Sequence, residues 1–178
     1  QFYGLEIEEL PAQIAQVAMW RMDHQLKLAV GNYFGQAFAR LPLKESATII
    51  CANALRTDWE DVVPKEKLSY IMGNPPFVGA RNMSREQKTD LVQVFEGAKG
   101  AGDLDFVAAW YGKAADYMLG TDIHAAFVST NSICQGQAVA ILWKYLSVRK
   151  NIHITFAHRT FKWSNEARGQ AAVHCVIV

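Results

Sequence analysis

A chain of 178 residues is one domain's worth of polypeptide, long enough to bury roughly two thirds of the surface it exposes when unfolded. Its 51% apolar and 20% charged residues are ordinary for a globular protein. A formal net charge of +1 excludes the global basic field of a self-sufficient nucleic-acid binder, though not a domain whose grip on a partner lies elsewhere in a longer chain. The three cysteines, Cys51, Cys134 and Cys175, are widely spaced among apolar neighbours, which predicts buried, reduced thiols of a cytoplasmic protein. No Cys/His cluster has zinc-ligand spacing, so no metal is expected. The first ten residues have no basic leader or apolar core, and no run approaches the ~20 apolar residues of a membrane helix.

Short apolar runs alternate with helical stretches, the pattern of an α/β fold with a largely parallel sheet. The first strand is predicted over residues 1–7, and its abrupt start at Gln1 reads as a piece of something larger. A helix follows from Pro11, a favoured first-turn residue, to Leu28, with Ile14, Val17, Ala18 and Met22 as its buried stripe. Residues 29–44 read as a loop, 47–52 and 68–73 as strands, and 74–83 as a second loop. Ser84 with Gln87 forms a capping-box pattern that opens a helix running to Ala98. A third helix is expected over 103–119, a strand over 124–130, and a fourth helix over 136–149. Strands at 152–158 and 171–178 follow one another with only a loop between them, which predicts an antiparallel pair at one edge of the sheet.

The sharpest signal is Asn74-Pro75-Pro76-Phe77, placed directly after the apolar strand Tyr70-Ile71-Met72-Gly73. With proline at about 5% of residues, such a string arises by chance in on the order of one chain in a hundred. A rigid surface turn is the plain alternative, because each proline fixes its own φ and restricts the residue before it.

Asn-Pro-Pro-Phe after a strand resembles the catalytic motif of amino-methylating DNA methyltransferases. The wider pattern, from Phe2-Tyr3-Gly4-Leu5-Glu6-Ile7 to Phe161-Lys162-Trp163-Ser164-Asn165-Glu166-Ala167, is similar to the methyltransferase domain of large bacterial restriction–modification polypeptides, the MmeI-like group. The resemblance implies a class I, Rossmann-like methyltransferase sandwich with a mostly parallel sheet and an antiparallel edge strand. It also implies transfer of a methyl group from S-adenosylmethionine to the N6 amine of a flipped adenine in double-stranded DNA. The glycine-rich loop that follows the family's first strand is not found in these residues. Residues 1–178 are therefore expected to be a partial catalytic domain, with an N-terminal segment and a C-terminal target-recognition domain elsewhere in the polypeptide. For this piece alone, weak or undetectable cofactor binding is expected.

An exocyclic amine is a poor nucleophile because its lone pair is delocalised into the ring. Two acceptors aimed at its N–H bonds localise that pair for attack. The resemblance assigns them to the side-chain oxygen of Asn74 and the carbonyl of Pro75, held by Pro76, with Phe77 stacked on the base. A carboxylate closing the first strand can accept from both ribose hydroxyls of a nucleoside. Glu6 fits that role, with Ile7 packing on the cofactor's adenine, although Glu6 also reads as one of a solvated acidic set with Glu8 and Glu9. Asn53, followed by Ala54, matches the station that holds the cofactor's adenine amine, but is equally a turn residue. Asp105-Phe106 matches a weaker station near the cofactor, with Phe106 alternatively plain core. Phe161 or its rival Trp163 would cover the other face of the flipped base, with Lys162 or Arg168 near phosphate. The same amine chemistry serves a cytosine N4, an RNA base or a protein glutamine, and a fragment keeping only the fold is a further alternative.

Overall fold

The computed structural model describes residues 2–35, 47–163 and 173–178. They form two compact units, Gln1–Val63 and Pro64–Val178.

In the first unit β1 (Tyr3–Glu6) and β2 (Thr48–Cys51) pair in parallel, from Tyr3 opposite Thr48 to Glu6 opposite Cys51. Parallel neighbours need a long crossover, and α1 (Glu9–Phe34) belongs to it. The helix ends where Gly35, at φ 65°, takes the left-handed conformation and its N–H returns to the Gly31 carbonyl. It thus starts before Pro11 and runs past Leu28. The expected stripe is corrected: Ile14, Val17 and Met22 are 59%, 64% and 52% exposed, whereas Ala12 and Gly31 are buried. The side of the helix turned inward carries Ala12, the half-buried Trp20 and Gly31 instead. The short helix α2 (Trp59–Val62), capped by Asp58, went unpredicted.

In the second unit β3 (Tyr70–Gly73), β4 (His124–Thr130), β5 (His158–Trp163) and β6 (Val173–Ile177) make one sheet in the order β3-β4-β6-β5. β3 and β4 are parallel, and β6 runs antiparallel to both β4 and β5. The expected antiparallel pair lies at the edge, but the reversed strand is the inner β6. β5 also begins at His158, where the expected strand would end, because its partner β6 pairs with residues 158–163 rather than 152–158.

The helix α3 (Arg85–Val94) carries the capping box foreseen at Ser84: Ser84 Oγ accepts from Gln87 N–H at 3.1 Å, and Gln87 Oε1 accepts from Ser84 N–H at 2.9 Å. α4 (Ala108–Tyr117) is shorter than the predicted helix over 103–119, its approach being a 3-10 turn at Ala101–Asp103. The two helices meet at Gly112, where a Cβ would lie 2.6 Å from Val94 Cγ1. α5 (Gly136–Lys144) passes into a wider π-turn at Tyr145–Arg149, so that Lys150 N–H bonds the Tyr145 carbonyl five residues back. Phe95, Phe127, Leu91, Leu104, Ile133, Leu142 and Leu146 fill the core between sheet and helices, each contributing about 1.5–3 kcal/mol by burial. Of the cysteines only Cys175 is buried; Cys51 and Cys134 are exposed, and all three are free thiols. No described helix is long and apolar enough to cross a membrane.

Two polar anchors lie in this unit. Lys150 Nζ reaches Asp116 at 2.6 Å and Glu96 at 3.2 Å, joining the end of the π-turn to α4 and to the turn after α3. Burial opposes its charge, but hydrogen bonds to the two carboxylates outweigh burial and hold the ammonium above its usual range. Tyr111 on α4 shares a 2.8 Å hydrogen bond with Ser129, its ring edge-on to Phe127. Burial pushes its hydroxyl up to about 12, against the opposing pull of the Ser129 bond. The fold therefore holds Tyr111 protonated where an unfolded chain starts to ionise it. Its contribution to stability is complete below the ordinary value of 10.0 and drains away as the pH rises toward 12. Thermal midpoints are expected to stay level from neutral pH to about 9 and to fall above about 10. Tyr111→Phe should make that fall shallower in melts followed by circular dichroism, leaving the slope due to the other groups the fold holds protonated, Lys150, Tyr145, Cys134 and Cys175.

Candidate active site

β3 delivers the Asn-Pro-Pro turn. The strand is short, apolar and paired with β4, so its direction is set by the sheet. Gly73 closes it opposite Phe127, and a Cβ there would lie 3.3 Å from Phe127 Cδ1. Glycine thus lets the Phe127 ring sit against the strand where the chain turns away. Beyond it Pro75 is buried, Asn74 and Pro76 are exposed and Phe77 is half-buried. A buried proline flanked by exposed neighbours fixes the backbone while the Asn74 amide stays open to solvent. The far end is fastened too: the Val78 carbonyl accepts from Phe106 N–H at 2.9 Å, and the Gly79 carbonyl from Asn82 N–H at 2.8 Å.

The residue before Phe106 fastens the neighbouring strand. Asp105, only 9% exposed, accepts through Oδ2 from Thr130 Oγ1 at 2.8 Å and Ser132 Oγ at 3.2 Å. Its Oδ1 faces Val107 N–H at 3.5 Å, and the two hydroxyls meet at 2.6 Å. Thr130 ends β4 and Ser132 lies in the 3-10 turn Asn131–Cys134 that follows. The dipeptide Asp105-Phe106 therefore pins the loops leaving the carboxyl ends of both β3 and β4, the edge at which open α/β sheets bind ligands. Sequence reading took Asp105 as part of a weaker station near the cofactor and missed Thr130 and Ser132; the available signal was a Thr-x-Ser pair at the end of a strand. Phe106 itself is 5% exposed and packs edge-on against Trp110, so its ring belongs to the core.

Within the first unit the parallel pair brings Glu6 and Asn53 to one carboxyl edge. Glu6 is the last residue of β1, and its carbonyl accepts from Ala52 N–H at 2.8 Å. Its Oε1 accepts from Glu8 N–H at 3.1 Å, which orients the carboxylate at the strand end. Ile7 beside it is 61% exposed, an open apolar surface next to an acceptor. Asn53 Oδ1 accepts from Leu55 N–H at 2.9 Å, so the turn role is present. The Ala54 carbonyl is taken by Trp59 Nε1 at 2.8 Å.

Phe161 and Trp163 lie on one face of the edge strand β5, their half-buried rings 6.3 Å apart. Lys162 between them is exposed on the other face. Arg168 and residues 164–167 fall outside the described residues.

The family model of the MmeI DNA-methyltransferase domain matches residues 1–178. The chain is 40% identical to DNA methyltransferase A of Bacillus subtilis (strain 168), covering all of this chain and 20% of that relative. A solved structure of the type IIL restriction-modification enzyme MmeI in complex with DNA superposes with a TM-score of 0.91 at 56% identity, over 99% of this chain and 24% of that one. The chain thus spans a fifth to a quarter of the length of these two relatives.

Proposed function

The chain belongs to the family of MmeI DNA-methyltransferase domains, and on that premise we propose that it carries the methyl-transfer centre of a longer restriction–modification polypeptide, acting on the N6 amine of adenine in double-stranded DNA with S-adenosylmethionine as donor. One observation carries the reading: a turn anchored by a buried proline holds an exposed asparagine amide at the carboxyl end of a parallel strand.

In this reading the Asn74 side-chain oxygen and the Pro75 carbonyl accept the two amine protons of an extruded base. The nitrogen is drawn toward a tetrahedral form and its lone pair turned out of the ring. Rigidity is what makes the pair effective, because acceptors already in place need no reorganisation as charge develops. Phe77 stacks on the base, worth ~1–3 kcal/mol, which offsets much of the few kcal/mol that flipping costs. Phe161 and Trp163 supply aromatic surface for the base's other face, and Lys162 a contact to phosphate.

S-adenosylmethionine supplies, when bound, an electrophilic methyl on a sulfonium. The donor set at the β1–β2 edge fits its nucleoside: the Glu6 carboxylate is oriented for ribose hydroxyls, the exposed Ile7 offers an apolar face for an adenine, and Asn53 with Ala54 closes the same edge. Phe106 contributes through its backbone bond to Val78 rather than through its enclosed ring. We read the two sheets as parts of a Rossmann-like sandwich whose first strand and glycine-rich loop are not among these 178 residues.

The test is a methylation assay of the full-length polypeptide on duplex DNA with labelled donor, followed by hydrolysis to nucleosides. All label is expected in N6-methyladenine. Label in N4-methylcytosine, or in protein or RNA offered in the same assay, would overturn the assignment.

A further inference from the structure

We propose that His158 is a positioning residue for methyl transfer: it holds the Phe161 ring in the attitude in which that ring covers the extruded base. The inference rests on the proposed function, in which an aromatic of β5 closes the base's other face, and it selects Phe161 over Trp163 for that place.

The sheet brings Phe161 to the edge that carries Asn74. β6 runs antiparallel to both β4 and β5, so β5 points the same way as β4 and its parallel neighbour β3. Cys175 stands opposite Thr130 on one side and opposite Phe161 on the other. Directly opposed residues share a face, so Thr130, Cys175 and Phe161 make one row at the carboxyl end of β4. Thr130 is the residue that Asp105 holds, beside the clamp on the Asn-Pro-Pro loop. The row therefore leads from that clamp to the Phe161 ring.

On a regular strand His158 and Phe161 would point to opposite faces, because side chains alternate. β5 is not regular here. It takes three steps from His158 to Phe161 where β6 takes two, from Ile177 to Cys175. The extra residue is a bulge, a device that re-aims a side chain. It returns His158 to the face of Phe161, and the two rings meet at 5.4 Å with their planes 88° apart. That is the edge-to-face contact that aromatic quadrupoles favour.

The imidazole is itself held, its Nδ1 donating to the Arg159 carbonyl at 2.9 Å. On the other flank of Phe161 the Trp163 ring lies at 6.3 Å, tilted by 46°. Phe161 is thus the middle ring of three. Among the described residues Trp163 has a ring on one side only. A ring already in place loses little freedom when a base arrives, which is what a stacking partner requires. His158 is exposed, so its removal opens no cavity in the core.

The experiment is a double-mutant cycle in the full-length polypeptide, read as the single-turnover rate of methyl transfer to duplex DNA at saturating donor. Phe161→Ala is expected to slow transfer by roughly 10- to 100-fold. His158→Ala should slow it by roughly 3- to 10-fold. The double variant should be no slower than Phe161→Ala alone, because His158 acts only through that ring. His158→Phe restores an aromatic edge and should stay within about threefold of the parent. A parental rate for His158→Ala, or losses that multiply in the double variant, would overturn the proposal and leave stacking by Phe161 standing. A parental rate for Phe161→Ala would instead remove the stacking role, and the positioning role with it.

Discussion

Asn74→Ala in the full-length polypeptide is expected to lower single-turnover methyl transfer by roughly 10²–10³-fold while leaving cofactor affinity within a few-fold of the parent. On the proposed mechanism the substitution takes away one of two acceptors and leaves the turn in place, because Asn74 is exposed and the turn is held by the buried Pro75 and by the Val78 to Phe106 bond. The complementary result belongs to Glu6→Ala, which removes the carboxylate proposed to hold the cofactor's ribose and should weaken the cofactor by roughly 10- to 100-fold in calorimetry, as hydrogen bonds to a charged group are worth about 1.5–3 kcal/mol. Near-normal turnover by the Asn74 variant would sink the mechanism, whatever happens to the fold.

Asp105→Ala should reduce both stability and turnover. The carboxyl group gathers Thr130 and Ser132 and faces Val107 N–H from a nearly enclosed position. Its loss leaves two hydroxyls at the end of β4 with only each other. A cost of roughly 3 kcal/mol is expected, which at about 2–4 °C per kcal/mol corresponds to a melting point lowered by roughly 6–12 °C. Turnover measured well below that melting point should still fall about tenfold, since the network shares its backbone segment with the clamp on the Asn-Pro-Pro loop. Asp105→Asn keeps an acceptor for Thr130 and should recover most of the stability. Unchanged melting for the alanine variant would show that the network does not hold the strand end.

What the sequence made legible is what local chemistry dictates. The capping box at Ser84 and Gln87, the proline turn after an apolar strand, and the carboxylate and asparagine at strand ends all depend on residues a few positions apart, and all stand where the pattern puts them. What it did not make legible depends on partners far away in the chain. Ile152, Ile154 and Phe156 alternate as a strand should, yet no pairing is found for them among the described residues; β6 selects residues 158–163 instead. Strand formation there is decided by the neighbour on offer, not by propensity. The same reason misplaced the face of α1, where apolar residues lie on more than one side and only the two short strands decide which side docks. Asp105 illustrates a third limit: its partners are 25 and 27 residues away, beyond any periodic signal.

The π-turn after α5 has a consequence for how this domain tolerates change. One residue trimmed from Tyr145–Arg149 would restore regular winding, and on a helix a single position is a swing of about 100°. The Lys150 ammonium would then leave Asp116 and Glu96 and face another way. Length and charge at this corner are therefore bound to vary together: a shortened turn is compatible with this packing only where the lysine and its two carboxylates have been given up as a set.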